Sequence, residues 1–282
     1  MPDVLLVTCA WFPEGEPGAG VLDAALRERG VTSAWARWDD PSVDWAAARL
    51  VAVRATWDYV ARLEEFLAWA TAVEPPLLNG AATFRWNTDK AYLLDLARAG
   101  LPVVPTRAAD TEAAVGRAVA ELGVAVVKPR VGADGNGVQI VTAAERFVPD
   151  QPGPWIVQPL VESVRETGET SVFVFEGVPV SQVDKRPGPG EIRVHEHRGG
   201  TSTPVPLDAS AASRAEAAVL ACGVVLGDRP AYARVDLMRG GEGWWVSEVE
   251  LTEPGLYLDV LPGNAAPFAD LVVDRLGRGP GG

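Results

Sequence analysis

A chain of 282 residues, 48% hydrophobic and 22% charged, has the balance of an ordinary globule and the length for two or three small subdomains. Its formal net charge of −13 argues against nucleic acid or an anionic membrane as partner, so an anionic ligand would need a local cluster of cations. Cys9 and Cys222 alone make no disulfide framework or metal-binding spacing, no apolar run is expected to reach the ~18–20 residues of a membrane span, and the start MPDVLLVTCAWF lacks a basic leader, which together predict a cytoplasmic protein.

VLLVTC (4–9) reads as a strand and VLDAALRERG (21–30) as a helix closed by Gly30. LVAVRAT (50–56) is a second strand and LEEFLAWATAV (63–73) a second helix. This alternation predicts a small parallel-sheet domain over residues 1–83. TDKAYLLDLARAG (88–100) reads as one helix with Thr88 as N-cap and Gly100 as its end, and TEAAVGRAVAELG (111–123) as the next. VAVVKP (124–129) and GVQIV (137–141) are strands around a glycine loop. WIVQPL (155–160), TSVFVFEG (170–177) and VPVSQVDKR (178–186) are strands, the last two joined by a hairpin at Glu176-Gly177. ASAASRAEAAVLACG (209–223) is a helix. AYARVDLM (231–238) and WWVSEVEL (244–251) form a hairpin across RGGEG, and the tail GRGPGG is expected to fray. The chain contains no internal repeat.

Only three of the 25 cationic residues are lysines: Lys90, Lys128 and Lys185. In so arginine-rich a chain they point to places where a compact ammonium serves as a point charge against phosphate. Lys128 ends a strand and is followed by Gly132, Gly135 and Gly137. The spacing fits neither G-x-x-x-x-G-K-[ST] nor a dinucleotide fingerprint that opens a helix. A plain hairpin with a long loop remains one reading. The other is a flap whose backbone N–H groups approach phosphate while Lys128 projects at the same anion.

Alternation along YARVDLM puts Tyr232, Arg234 and Asp236 on one face, and Glu248 and Glu250 share a face of the partner strand. If the RGGEG loop pairs the strands without a bulge, all three carboxylates meet. Such a cluster is either a solvated polar face or a Mg²⁺ site, since hard oxygen ligands suit that ion.

The motif order across residues 84–262 resembles the ATP-grasp superfamily, particularly its glutathione synthetase and RimK-like ligases. The pieces are NTDKAYLLDLARAGLPVVPT, VVKPRVGADGNGV, WIVQPLV, GETSVFVFEG, DKRPGPGEIRVHEHRGGT, ARVDLM and VSEVELTEPG. The resemblance implies an α/β fold with an N-terminal domain at 1–83, a central subdomain with the flap at 84–161, and a metal-bearing subdomain at 162–282. ATP and Mg²⁺ would bind between the last two. Lys90, Lys128, Lys185 and the loop glycines would serve the nucleotide. Gln158, Pro159, Leu160 and Val161 would read the adenine edge, and Glu166 or Glu169 would hold ribose. Arg193 would face the moving phosphoryl group, and Asp236, Glu248 and Glu250 would hold the metal. Glu250 stands where relatives often have Asn. Val194-His195 replaces a common Ser-Asn, and His195 is expected to be a neutral hydrogen-bonding residue in the nucleotide site rather than an acid or base.

At the end of the second strand, VRATWDY (53–59) offers Arg54 for a substrate carboxylate and Asp58 for an ammonium, with Trp57 beside them. A capped loop around a packed tryptophan explains the same residues. Thr8, after the first strand, has the same standing, and Arg234 is a further substrate-side candidate. TWDY, RWNTDKAYL and EIRVHEH together resemble the O-ureido-serine cyclo-ligases of cycloserine biosynthesis. That resemblance implies ATP-dependent ring closure of a small amino acid, with no nucleic-acid or membrane partner and a homo-oligomer allowed. An intermolecular amino-acid or peptide ligase, and a nucleotide-binding regulatory module without turnover, are the competing readings.

Overall fold

The computed structural model describes residues 1–241 and 243–277, in which three sheets follow one another along the chain. Of the tail GRGPGG (277–282) expected to fray, Gly277 instead ends a helix, and 278–282 lie outside the described residues. β1 (Val4–Thr8), β2 (Ser33–Arg37) and β3 (Leu50–Ala55) form a parallel sheet in the order β2-β1-β3, with α1 (Ala19–Glu28) crossing between β1 and β2. Every residue of β1 and β3 is buried, as in a sheet covered on both faces. Of β2 only Ala36 is buried, so SAWAR carries no strong strand pattern and sequence reasoning passed over it. α2 (Leu63–Ala72) covers one face of this sheet through Phe66, Leu67 and Ala70.

Of the helix expected over 88–100 only α4 (Tyr92–Arg98) forms, and a separate helix without a counterpart in the sequence reading, α3 (Gly80–Asn87), precedes it. Thr88 is the C-cap of α3, not an N-cap. The backbone N–H of Lys90 donates to the Arg130 carbonyl at 2.8 Å, and that of Ala91 to Asp89 Oδ1 at 2.9 Å. These partners hold the 88–91 turn outside either helix and aim Lys90 at the glycine loop. Gly100, with φ +85°, follows the end of α4 as expected.

β4 (Arg107–Ala109), β5 (Val124–Pro129), β6 (Gln139–Thr142) and β7 (Trp155–Pro159) form an antiparallel sheet ordered β4-β7-β5-β6. α5 (Glu112–Leu122), capped by Thr111, packs Val115, Ala118 and Val119 against it. After the single turn α6 (Ser163–Glu166) come β8 (Glu169–Phe175), β9 (Val178–Arg186), β10 (Thr201–Val205), α7 (Ala209–Leu226), β11 (Tyr232–Gly240) and β12 (Gly243–Glu250). Their five strands are antiparallel in the order β10-β9-β8-β11-β12. The β8–β9 hairpin turns on Glu176 and Gly177, both at positive φ as a two-residue turn requires.

One face of this sheet is apolar and receives α7 and α4 through Ala211, Ala215, Val219, Tyr92 and Leu96. By length and composition alone α7 would suffice to cross a membrane, which corrects the expectation that no such run exists. Arg214 and Glu216 interrupt it in sequence, and its alanine stripe is packed on the sheet. α8 (Ala265–Gly277) returns to the first sheet. Its Phe268, Ala269 and Val272 join Leu22 and Leu26 of α1, and the same cluster reaches Phe173, Phe175 and Tyr232 of the five-stranded sheet. A continuous core therefore ties the N-terminal sheet to the strands that carry the acidic residues.

Candidate active site

A cleft of about 390 Å³ opens between the four- and five-stranded sheets and reaches the loops of the N-terminal sheet. That size lies within the range of small-molecule sites. Alternation along β5 explains its chemistry. Ala125 and Val127 point away from the cleft into the core under α5, while Val126 and Lys128, and Pro129 at the strand end, line the cleft. Pro129 and the glycines then take the chain over the opening. Gly132 accepts a hydrogen bond from Lys90 Nζ at 2.9 Å. Gly135 has φ +64°, and a Cβ there would lie 3.0 Å from Arg193 Cδ and 3.1 Å from His195 Cε1. Only glycine lets the loop lie so close to the 193–195 segment. Arg198 fastens the same loop from outside, donating to the Asp134 carbonyl and to Asn136 Oδ1 at 2.6 Å.

The carboxylates meet because β12 is bulged, which corrects the expectation of unbulged pairing. Pairing runs from Gly240 opposite Gly243 to Leu237 opposite Val246, then shifts so that Asp236 faces Glu248 and Arg234 faces Glu250. Without the shift Asp236 would oppose Ser247, and Glu248 would point into the apolar face. The bulge residue Ser247 donates to the Asp236 carbonyl at 3.0 Å and to Glu169 Oε2 at 2.9 Å. One oxygen from each of Asp236, Glu248 and Glu250 lies within 4.8 Å of the others.

Cations answer most of this charge. Lys90 lies 2.8 Å from Glu248; Lys185 lies 2.5 Å from Glu169 and 3.2 Å from Asp236; Arg234 binds Asp236 at 3.0 Å and also pairs with Glu250. Burial alone would raise Asp236, but Arg234 and Lys185 hold it well below the usual carboxylate range. Burial raises Glu250 to about 8, with Asp236, Glu248 and Glu253 adding to the effect against the single guanidinium it shares. Burial lowers the Lys128 ammonium, which makes no ion pair among the described residues. His195 is pushed down to about 4, first by burial and then by Lys185 and Arg234, so it is neutral; its Nδ1 is buried without a partner. Arg193 lines the cleft while pairing with Glu191 at 2.5 Å, from a segment that is not a strand.

Other expected residues are placed differently. Gln158, Pro159, Leu160 and Val161 line the cleft, although the Gln158 amide is turned inward to Thr106 Oγ1 at 2.9 Å. Glu169 lines it too, but Lys185 and Ser247 occupy its two oxygens. Glu166 is exposed on α6 outside the lining, and Gly137 packs on Pro129 and Gln151. Arg54 is fully buried, bound to Glu16 and to the Pro254 carbonyl, and offers no free face to a substrate carboxylate. Asp58 accepts from Trp38 and Arg62, and Thr8 donates to the Phe12 carbonyl, so neither reaches the cleft. Trp57 and Arg234 do line it. Sequence reasoning missed Tyr59 and Glu253, which line the cleft beside Trp57. Glu253 lies in VSEVELTEPG, where no local pattern marks it. Burial raises its carboxyl to about 7.

A family model for the N-terminal domain of D-cycloserine synthetase DcsG matches residues 4–79. The cycloserine biosynthesis protein DcsG of Streptomyces lavendulae is 34% identical over 276 residues, covering 89% of this chain and 91% of that protein. The crystal structure of D-cycloserine synthetase DcsG superposes with a TM-score of 0.84 at 32% identity, covering 97% of this chain and 99% of the other. A RimK domain ATP-grasp protein from Sphaerobacter thermophilus shares the fold at 20% identity and a TM-score of 0.66, covering 96% and 99%. By full-length similarity and by fold, this chain belongs to the DcsG family of ATP-grasp ligases.

Proposed function

We propose that this ligase uses ATP and Mg²⁺ to activate the carboxylate of a small amino acid as an acyl phosphate, and that it closes O-ureido-D-serine to D-cycloserine. The observation that supports the substrate is the match of the N-terminal region to the DcsG model, since Glu16, Trp57 and Tyr59 of that region line the cleft. In the reaction the substrate carboxylate takes the γ-phosphoryl group of ATP. The ureido nitrogen attacks the acyl carbon of the same molecule and phosphate leaves. With one water the carbamoyl group departs as CO₂ and ammonia. ATP, water and O-ureido-serine thus become ADP, phosphate, cycloserine, CO₂ and ammonia.

The residues fit these needs. Lys90 and Lys128 face the nucleotide phosphates from two elements, the Gly132–Gly135 loop covers them, and the 158–161 backbone borders the adenine. We place the nucleotide between the four- and five-stranded sheets. Asp236, Glu248 and Glu250 are an all-oxygen donor set whose shared charge still raises Glu250, so the site fits a hard divalent cation. Mg²⁺, when bound, neutralises charge on phosphate oxygens. Arg193 stands where the acyl phosphate forms and holds the transferred group by hydrogen bonding.

The test is incubation with Mg-ATP and O-ureido-D-serine, with ADP, ammonia and product mass followed together. Equal yields of ADP, ammonia and cycloserine are expected. A joined product of two substrates would instead establish an intermolecular ligase. Nucleotide binding with no amino-acid-dependent ADP release would establish a regulatory module.

A further inference from the structure

The chain leaving β12 passes Glu250 and turns beneath the loop that follows β3. Glu253 is enclosed there at 8% exposure, with the Tyr59 hydroxyl facing its carboxylate. Trp57 Nε1 donates to the Glu253 carbonyl at 3.3 Å. The next residues are clamped as well: Arg54 donates to the Pro254 carbonyl at 2.8 Å, and the Leu256 N–H donates to Glu16 Oε2 at 2.9 Å. So the buried Arg54–Glu16 pair positions Glu253 rather than meeting substrate.

The carboxylate lines the cleft but makes no ion pair among the described residues. The other unexposed carboxylates of the cleft, Glu16, Glu169, Asp236, Glu248 and Glu250, are each bonded to a lysine or arginine. A carboxylate so enclosed is costly to keep without a cation. We propose that Glu253, held by Trp57 and flanked by Tyr59, receives the α-ammonium group of the substrate, so that this site takes α-amino acids rather than plain carboxylic acids.

This assignment rests on the ligase reading and adds a chemical reason to it. Ring closure leaves the α-amino group unchanged. As a free amine it would be a stronger nucleophile than the ureido nitrogen and would attack a second molecule's acyl phosphate. An adjacent carboxylate keeps the proton on nitrogen and removes that competitor.

ADP release should be measured for the parent and for Glu253→Gln, with O-ureido-D-serine and with its analogue lacking the amino group. Should another α-amino acid prove to be the substrate, that compound and its des-amino counterpart replace them. The amide keeps the shape, so melting and ATP affinity are expected to stay as in the parent. KM for the amino acid should rise about 10- to 100-fold, and the parent's preference over the des-amino compound should shrink to within about threefold. Tyr59→Phe should shift the same preference by a smaller factor, and carries the test if the glutamine variant fails to fold. An unchanged preference overturns this inference alone. Absence of amino-acid-dependent ADP release from the parent overturns the ligase reading and this inference with it.

Discussion

Lys90 Nζ stands 2.8 Å from Glu248 and 2.9 Å from the Gly132 carbonyl, so one ammonium joins the glycine loop to the carboxylate cluster. The turn at 88–91, fixed by the Arg130 carbonyl, puts it there. Lys128 approaches the same space from β5 with no anion of its own among the described residues. A phosphate entering between the two lysines meets one cation that must share its partner and one that has none to give up.

Lys128→Ala should therefore weaken ATP binding at least about tenfold and abolish turnover. A charge-assisted contact to phosphate is worth roughly 1.5–3 kcal/mol, and no protein ion pair is lost in exchange. Calorimetric titration of ATP and steady-state ADP release check it. Parental affinity and rate would remove Lys128 from the site.

Glu248→Gln should raise the Mg²⁺ concentration for half-maximal activity by about tenfold or more, with little change in melting of the free protein. The amide keeps an oxygen for the ion and loses the charge. A magnesium titration beside a thermal melt decides the matter. Collapse of melting with an unaltered magnesium requirement would make Glu248 a structural partner of Lys90 only.

His195 supplies a pH prediction. Its native pKa is near 4 and its ordinary value is 6.5. Between these values the unfolded chain binds a proton that the folded chain refuses, so its contribution is intact above 6.5 and is lost as pH falls toward 4. The loss runs at up to about 1.4 kcal/mol per pH unit. His195→Gln should flatten the acid limb of stability between pH 6.5 and 4 in urea melts. An identical acid limb in both proteins would show that the imidazole charges freely in the native state.

Sequence reasoning reached furthest where chemistry rides on strands. A period of two is enough to send Lys128 opposite to Val127, and Asp236 opposite to Val235, and the structure keeps both alternations. It fell short where long-range contacts decide. The shift at Ser247 depends on how β12 pairs with β11, which no local pattern records. The start of α4 at Tyr92 rather than at 88 depends on a carbonyl forty residues from Lys90 in the sequence, that of Arg130. Arg54 looked available at the end of a strand because Glu16 and Pro254, its partners, come from distant loops. Glu253 was hidden because a lone glutamate in TEPG has no signature until Tyr59 and Trp57 close over it.

Arg193→Lys should lower kcat far more than it changes ATP affinity. Phosphoryl transfer to a carboxylate brings two anions together, and charge on the moving oxygens must be stabilised as it develops. A cation held by the carboxylate cluster would attend one side. Arg193 lines the cleft from the 191–195 segment, its Cδ beside Gly135 of the glycine loop. A planar guanidinium can keep a bond to Glu191 and still direct further N–H groups at an acyl phosphate, whereas an ammonium offers a point charge of poorer geometry. A contact made chiefly in the transition state appears in kcat rather than in ground-state binding. The expected loss is about 100- to 1000-fold, by analogy with single donors in anion holes. The competing account gives Arg193 no task beyond its bond to Glu191, which holds that carboxyl down to about 2. Lysine would keep much of such a pair, and a surface pair is worth at most about 1 kcal/mol. Single-turnover ADP formation and ATP affinity, measured on one preparation of the variant, separate the two. A rate within about threefold of the parent would assign Arg193 to Glu191 alone.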